Sequence, residues 1–198
     1  PLYNSEYTKG AFAAAHDVFA AQIVGQEISS ADQLQSLFQE FKGHEFTRSA
    51  FDSAWWDAHA LACTKPLWSL IGGVNQTISV GADIPVLSST SALINRIAEA
   101  IDQGFPRVKL KFNRSCTVEM IERVRSNFPD LVMHIDCNSG FTLDDIEMFR
   151  ALDQLELKMI EQPLAYDDLV NHAALQKQII TPICLDESIT SLSRAAKA

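Results

Sequence analysis

Four ionisable residues recur at one interval along the second half of the chain. Lys111, Asp136, Glu161 and Asp186 follow one another at intervals of 25 residues, each near the end of a short apolar run. Three neighbouring carboxylates repel one another unless a cation lies between them, and a lysine opposite them can take up and release a proton. Oxygen ligands favour a hard divalent ion such as Mg²⁺. The spacing therefore predicts a metal site beside a lysine acid/base, if the fold brings the four residues together.

Alternating strands and helices would bring them together. The β-rich apolar runs are TISVGAD, RVKLKF, LVMHIDCN, LKMIEQP and PICLDES, and amphipathic segments separate them. Helix starts are visible at Thr142, which forms a capping-box-like pair with Asp145, and at Ser191 or Thr190. This pattern predicts five βα units around a parallel sheet. In a (β/α) barrel the carboxyl ends of the strands converge on one mouth, so the four charges would face one pocket.

Parity within the strands adds further residues, because side chains two positions apart share a face. Lys109 would point inward with Lys111, and we expect its charge to lower the pKa of Lys111. A metal with a lysine base is suited to removing a proton α to a carboxylate, because the ion stabilises the enediolate that forms. An edge-strand lysine pair that discourages aggregation is the alternative, but the apolar neighbours Val108 and Leu110 favour a buried strand. His134 has the same parity, and we interpret it as a residue packed deeper in the barrel.

The first part of the chain has a helical pattern. Helices are predicted over residues 8–24, after Ser30 as N-cap, and from Thr47 onward. A proline and a glycine pair then interrupt the pattern, and a run of β-formers follows. We therefore predict a helical domain over residues 1–76 and a βα domain over residues 77–198.

Composition and charge exclude several classes of protein. The 198 residues include 16 Lys+Arg and 25 Asp+Glu, a net charge of −9, and no basic cluster that would bind nucleic acid or an anionic membrane. No apolar run approaches the ~20 residues that span a bilayer, and the first residues lack the features of a signal peptide. We therefore expect a cytoplasmic protein. The four cysteines form no CxxC pair, which favours reduced thiols in the core over a disulfide or zinc framework.

Several of these strings resemble one family. VKLKF, HIDCNSGFT, MIEQPL and PICLDES resemble the strand ends of the muconate-lactonising subgroup of the enolase superfamily, and AFDSAWWDAHALACTKPLWSLIGG resembles the segment that closes its capping domain. IEQPL together with TPICLDESI is most similar to the branch of o-succinylbenzoate synthases and N-acylamino acid racemases. The resemblance covers nearly the whole chain. It implies an incomplete α/β (β/α) barrel of enolase-superfamily type, preceded by the helical part of a capping α+β domain.

The resemblance also implies roles for individual residues, all near strand ends. These are Mg²⁺ (or Mn²⁺) ligation by Asp136, Glu161 and Asp186, acid/base catalysis by Lys111, its electrostatic support by Lys109, and near-site support by Asn138 and Glu187. Cys137 stands where the family more often has alanine, and by parity it should only pack. The family's second catalytic lysine lies on a sixth strand, beyond residue 198. We therefore expect the chain to be an internal portion of a larger enzyme.

The activity implied is that of an o-succinylbenzoate synthase, a Mg²⁺-dependent syn-dehydration in menaquinone biosynthesis. Lys111 would remove the α-proton and then protonate the departing hydroxide. The alternatives within the family are an N-acylamino acid racemase, which needs two lysines on opposite faces, or another epimerase or cycloisomerase. A non-catalytic metal-binding scaffold is an alternative of another class. The partner is a small-molecule carboxylate, not nucleic acid or a membrane; these residues determine neither which carboxylate nor whether the protein is a homo-oligomer.

Overall fold

A computed structural model describes residues 5–74 and 77–198 of the protein. The chain divides into two units, Pro1–Thr77 and Ile78–Ala198. The predicted domain boundary near residue 76 lies outside the described residues, and the assignment of the two domains stays a prediction. Within the described ranges, no helix is both long enough and apolar enough to cross a membrane.

The first unit is helical. Helix α1 (Thr8–Ala13) continues through a π-helical segment, Ala14–Phe19, into α2 (Ala20–Ile23). Three further helices follow: α3 (Ala31–Phe38), α4 (Glu45–Cys63) and α5 (Leu67–Leu70). The Ser30 side chain accepts a hydrogen bond from the backbone N–H of Gln33, so the predicted N-cap of α3 is confirmed.

Helix α4 begins at Glu45, so the prediction of a start at Thr47 was wrong. The carboxylate of Glu6 accepts hydrogen bonds from the backbone N–H groups of Phe46 (2.7 Å) and Thr47 (3.0 Å) and from the Thr47 hydroxyl (2.5 Å). Burial opposes the charged form of Glu6, but these hydrogen bonds outweigh it and lower its pKa. A capping group that lies 40 and 41 residues before its two backbone partners leaves no local signal at the start of the helix.

The core of the helical unit is a small aromatic cluster. Phe19, Leu34 and Phe38 are almost fully buried, and the rings of Phe19 and Phe38 meet edge to face with centroids 4.9 Å apart. Trp55 packs against this cluster, and its indole N–H donates to the carbonyl of Ile28 at 3.2 Å. Trp55 is therefore a packing residue of the helical unit.

The second unit contains a five-stranded parallel sheet in the order β1-β2-β3-β4-β5. The strands are β1 (Ala82–Ile84), β2 (Arg107–Lys111), β3 (Val132–Asp136), β4 (Ile160–Glu161) and β5 (Ile183–Cys184). The following helices are α6 (Thr90–Asp102), α7 (Val118–Asn127), α8 (Ile146–Leu152), α9 (Leu169–Gln176) and α10 (Leu192–Ala195). Short 3₁₀ turns, Leu143–Asp145 and Asp153–Leu155, flank α8. Five consecutive parallel βα units of an incomplete barrel confirm the predicted fold class.

Strand β1 is shorter than predicted. The sequence run TISVGAD begins at Thr77, but pairing with β2 begins only at Ala82, opposite Val108. Ile78 and Val80 are exposed. β-Branched residues favour strands chiefly where they pack on a half-buried surface, and residues 77–81 have no such surface. The capping box at Thr142 and the N-cap at Ser191 are confirmed.

The cysteine prediction is partly wrong. All four thiols are free, but only Cys137 is buried, and Cys63 is exposed on α4. Cys137 is 2% exposed within the hydrophobic core of the sheet, as its parity predicted. Burial, reinforced by the nearby negative charge of Asp136, raises its pKa, so it stays a neutral packing residue.

Two charged side chains fasten the loops at the amino ends of the strands. The guanidinium of Arg125 on α7 donates to five backbone carbonyls in the loops that lead into β3 and β4, those of Phe128, Pro129, Leu131, Leu155 and Glu156. The carboxylate of Asp153 accepts hydrogen bonds from the N–H groups of Ile180 and Thr181, just before β5. This edge of the sheet is therefore held by side-chain to backbone bonds.

Candidate active site

Lysines and carboxylates from three adjacent strands meet toward the carboxyl ends of the sheet. The Lys109 ammonium lies 2.8 Å from Asp136 Oδ2 and 2.6 Å from Glu161 Oε1, and the Lys111 ammonium lies 2.7 Å from the same Asp136 oxygen. The strand register explains the meeting, because Lys111 is paired with Asp136 and Asp136 with Glu161. The side chain of Asp136 is fully buried, whereas Lys109 and Lys111 are 24% and 31% exposed.

The surroundings of Asp136 and Lys109 determine their charges. Burial opposes the charged form of Asp136, but the hydrogen bonds from Lys109 and Lys111 outweigh it and lower its pKa. Burial likewise opposes the charged form of Lys109, but the hydrogen bonds and charges of Asp136 and Glu161 raise its pKa above the usual range. Asp136 is therefore an anion and Lys109 a cation at neutral pH.

Asn138 joins this group to the segment after β5. Its side-chain oxygen accepts a hydrogen bond from Lys111 (2.9 Å), and its amide nitrogen donates to Glu187 Oε1 (3.1 Å). Its backbone N–H donates to Asp136 Oδ1 at 3.0 Å, and its φ of 43° lies in the left-handed region. Burial, with the nearby charges of Asp186 and Asp136, raises the pKa of Glu187 against the effect of the Asn138 hydrogen bond. Six of the seven residues selected from the sequence thus form one connected network.

Asp186, the seventh, lies at the same edge of the sheet, two residues after β5. Its side chain is exposed, and its backbone N–H donates to the side-chain oxygen of Gln162 at 3.0 Å. Sequence reasoning missed Gln162, which follows Glu161 directly. An amide carries no charge that a spacing argument would find, and the N–H groups that its oxygen accepts from lie 24 and 26 residues further along the chain.

His134 is buried on the same face as the lysines. It is paired with Lys109 across strands β2 and β3, and its Nε2 lies 3.5 Å from Glu161 Oε2. Burial, together with the positive charges of Lys109 and Arg107, lowers the pKa of the imidazole, so it is neutral. It lies beside Glu161 as a packed, uncharged neighbour of the charged network.

The chemistry of the oxygen donors fits a hard divalent cation. Asp136 and Glu161 are two buried carboxylates on paired strands, a pair that needs nearby positive charge. In the structure that charge comes from the two lysines. Across residues 5–74 and 77–198, no three His, Cys, Asp or Glu side chains are grouped so that they could hold a metal ion. The assignment of Asp136, Glu161 and Asp186 as ligands therefore stays a prediction that the donor chemistry supports.

Family models match both parts of the chain. The model described as Enolase C-terminal domain-like matches residues 92–198, which carry the whole lysine–carboxylate network. This chain belongs to the enolase superfamily. The model of the mandelate racemase / muconate lactonizing enzyme N-terminal domain matches residues 4–72, within the helical unit.

Individual members of the enolase superfamily are similar over the entire chain. An N-succinylamino acid racemase from Thermus thermophilus is 35% identical over 198 residues, which are 100% of this chain and 54% of the relative. An o-succinylbenzoate synthase from Geobacillus stearothermophilus is 37% identical over 198 residues, again 100% of this chain and 53% of the relative. The chain therefore spans about half the length of the curated relatives it matches.

A solved structure shows the same fold. An enolase-superfamily member from Listeria innocua Clip11262 superimposes with a TM-score of 0.92 at 34% sequence identity. The match covers 98% of this chain and 53% of that protein. The parallel sheet and the helical unit are thus each part of the enolase-superfamily architecture.

Proposed function

We propose that this sequence carries the metal-binding and proton-transferring part of an o-succinylbenzoate synthase. The observation that carries the proposal is the position of Lys111, whose ammonium is held by Asp136 and Asn138 beside a buried carboxylate pair. A lysine positioned in this way can exchange a proton with a substrate bound over the strand ends. Similarity to an o-succinylbenzoate synthase at 37% identity supports the choice of reaction.

Lys111 does the proton chemistry in this proposal. Its neutral amine takes the proton α to the substrate carboxylate, and the resulting ammonium then protonates the hydroxide that leaves in the dehydration. Lys109 stays charged between Asp136 and Glu161 and supplies a fixed positive potential beside the developing anion. Asp136 and Asn138 orient the Lys111 ammonium once it carries the proton.

A divalent cation completes the site. Asp136, Glu161 and Asp186 would hold Mg²⁺ or Mn²⁺, the hard ions that carboxylate oxygens select. A structurally similar racemase from Streptomyces coelicolor A3(2) contains bound magnesium. When bound, the ion supplies Lewis-acid stabilisation of the negative charge that the substrate carboxylate gains as the α-proton leaves.

Isothermal titration of the full-length protein with Mg²⁺ tests the ligand assignment. We expect Asp186→Asn to weaken Mg²⁺ binding at least about tenfold, because a neutral amide replaces an anionic ligand. The matched control is Asp167→Asn, which removes one negative charge from an exposed position in the loop after β4 and should leave the affinity unchanged. Equal affinities for Asp186→Asn and the unsubstituted protein would remove Asp186 from the ligand set.

Racemisation of N-succinylamino acids is the second candidate, supported by 35% identity to a racemase of that kind. Both reactions begin with removal of an α-proton, so the Lys111 network serves either. Assaying the full-length protein for o-succinylbenzoate formation and for loss of optical rotation of N-succinylamino acids compares them directly. Dehydration with the higher kcat/KM supports the synthase; racemisation alone would replace it with the second candidate.

The proposal includes a small carboxylate as the substrate and a cytoplasmic location. A non-catalytic metal-binding scaffold is the alternative of another class, and it predicts Mg²⁺ binding without either activity in the full-length protein. The two assays above, run on protein whose Mg²⁺ affinity has been measured, separate that outcome from a catalytic one.

A further inference from the structure

Gln162 is a fully buried amide directly after strand β4, and all the hydrogen-bonding positions of its side chain are used. Its nitrogen donates to the carbonyl of Leu164 (3.1 Å) and to the hydroxyl of Ser188 (2.8 Å). Its oxygen accepts from the backbone N–H groups of Asp186 (3.0 Å) and Ser188 (3.2 Å). The amide therefore ties the loop after β4 to the segment after β5.

The backbone of Gln162 makes two further connections. Its N–H donates to the carbonyl of Cys184 at 2.8 Å, and its carbonyl accepts from the N–H of Ser139 at 2.8 Å. Gln162 thus contacts the segments that follow β3, β4 and β5, which carry Asn138, Glu161 and Asp186. Its φ of 38° lies in the left-handed region, which disfavours a residue with a Cβ. Such a conformation persists only where the surroundings impose it.

We propose that Gln162 is a positioning residue that fixes the Asp186–Ser188 segment for cation binding. The inference rests on the proposed metal site and deepens it, because Gln162 contacts the backbone of Asp186 rather than a ligand atom. Without the amide oxygen, the N–H groups of Asp186 and Ser188 lose this acceptor. The backbone of Asp186, which carries the proposed ligand, is then less firmly held. Removing a residue that orients a metal ligand without binding the metal itself typically lowers the metal affinity about 10–100-fold.

A matched control separates positioning from a general loss of stability. Asp153 lies at the amino ends of the strands and accepts hydrogen bonds from the two backbone N–H groups that precede β5. Gln162 accepts from two backbone N–H groups that follow β5. Gln162→Leu and Asp153→Ala each remove two such acceptor contacts, at opposite ends of one strand. Only the first change lies beside the proposed cation site.

The test uses the full-length protein with Mg²⁺ alone as the probe. We expect Gln162→Leu to raise the Kd for Mg²⁺ about tenfold or more, and Asp153→Ala to leave it within about twofold. In metal-free protein, hydrogen exchange should accelerate over residues 184–190 in Gln162→Leu and over residues 178–183 in Asp153→Ala. Gln162→Asn, which withdraws the amide by one methylene, carries the same expectation if Gln162→Leu does not fold.

The outcomes distinguish two failures. An unsubstituted protein that binds Mg²⁺, with Gln162 variants of equal affinity, would overturn the positioning role and leave the metal site intact. Equal losses of affinity in Gln162→Leu and Asp153→Ala would also overturn it, because the effect would then be general. An unsubstituted protein that does not bind Mg²⁺ would overturn the proposed metal site, and the inference with it.

Discussion

Lys109 and Lys111 lie two residues apart on strand β2, yet their ammonium groups have different partners. Lys109 bridges two carboxylates, Asp136 and Glu161, whereas Lys111 contacts one carboxylate and the neutral amide of Asn138. A lysine between two anions is held in its charged form, because losing its proton would leave both carboxylates without a partner. The arrangement favours Lys109 as the fixed cation and Lys111 as the group that exchanges protons.

Replacing Lys111 tests the second role. We expect Lys111→Ala in the full-length protein to lower kcat about 10²–10⁴-fold, the usual cost of losing a positioned general base. Lys158→Ala is the control, because Lys158 is exposed and lies before β4, at the opposite end of the strand. Steady-state kinetics on both variants check the result. Full activity in Lys111→Ala would show that another group removes the α-proton.

Replacing Lys109 tests its electrostatic role. Lys109→Met keeps most of the side-chain stem and removes the positive charge between Asp136 and Glu161. We expect kcat to fall about 10²–10³-fold, the usual cost of losing one preorganised group that stabilises a developing anion. Steady-state kinetics measure the loss, and an unchanged kcat in Lys109→Met would assign Lys109 a different role.

Sequence reasoning selects residues that strand spacing brings together, but it misses a residue whose role depends on contacts between loops. The 25-residue interval and strand parity selected Lys109, Lys111, Asp136 and Glu161, which the structure joins within 2.8 Å. Gln162 was missed because its proposed role depends on three hydrogen bonds to the segment after β5. Nothing in the residue type indicates which backbone groups it meets, since those groups come together only when the strands pair.

Among the elements, helix α7 has one side chain with an unusual number of contacts. Arg125 donates to five carbonyls, whereas Arg123 on the same helix makes one exposed ion pair with Glu119 at 3.4 Å. Hydrogen bonds from a charged donor to partly buried backbone carbonyls stabilise more than an exposed ion pair does. The two arginines therefore form a natural pair for comparison.

We expect Arg125→Ala to lower the free energy of unfolding by about 2–4 kcal/mol, because several loop carbonyls lose their donor together. Arg123→Ala should change it by less than about 0.5 kcal/mol. Urea unfolding followed by circular dichroism measures both values. Equal losses in the two variants would mean that the loops before β3 and β4 do not depend on Arg125.

The existence of elements was easier to predict than their ends. All five βα units follow from alternating apolar runs, but β1 begins at Ala82 and α4 at Glu45, not at Thr77 and Thr47. Each start is decided by a partner that is distant in the sequence: β1 starts where it begins to pair with β2, and α4 starts where Glu6 caps it. Local propensity contains neither partner. The predicted start of β1 was therefore wrong by five residues and that of α4 by two.

At the scale of the whole molecule, the side chains that hold the loops in place and the proposed proton-transfer network lie at opposite ends of the sheet. Arg125 and Asp153 fasten the amino ends of the strands, and the lysine–carboxylate network lies toward the carboxyl ends. This division is general among barrels of parallel strands. Substitutions at the amino edge should therefore change the free energy of unfolding and leave the cation affinity unaffected.

His172 makes the free energy of unfolding depend on pH. Its Nε2 accepts the N–H of Leu164 at 3.2 Å, and its Nδ1 lies 2.6 Å from the carbonyl of Asp168 and so carries the proton. Burial lowers its pKa, with the Asp168 contact opposing. The unfolded chain then takes up a proton first as the pH falls. Stability is complete above about pH 6.5 and declines below it, by up to about 1.4 kcal/mol per pH unit until the folded pKa is reached.

Urea unfolding between pH 7.5 and 5.0 measures this decline. His172→Gln removes the titrating group, so its free energy of unfolding should decline less over that range than that of the unsubstituted protein. His134 also has a lowered pKa but is present in both proteins, so its contribution cancels. Parallel pH dependences for the two proteins would show that His172 does not titrate in this way.

The π-helical segment Ala14–Phe19 determines the angular phase of the first helix. A π turn accommodates one more residue than the α-helical turn it replaces, and one residue corresponds to a rotation of about 100° around an α-helix. Phe19, the last residue of this segment, is fixed in the aromatic core, and Glu6, which precedes α1, is bound to the start of α4. Deleting one alanine from the segment would restore a regular α-helix and rotate the preceding turn away from Thr47. The helix thus contains the equivalent of a one-residue insertion, and this extra residue lets Phe19 face the aromatic core while Glu6 faces the start of α4.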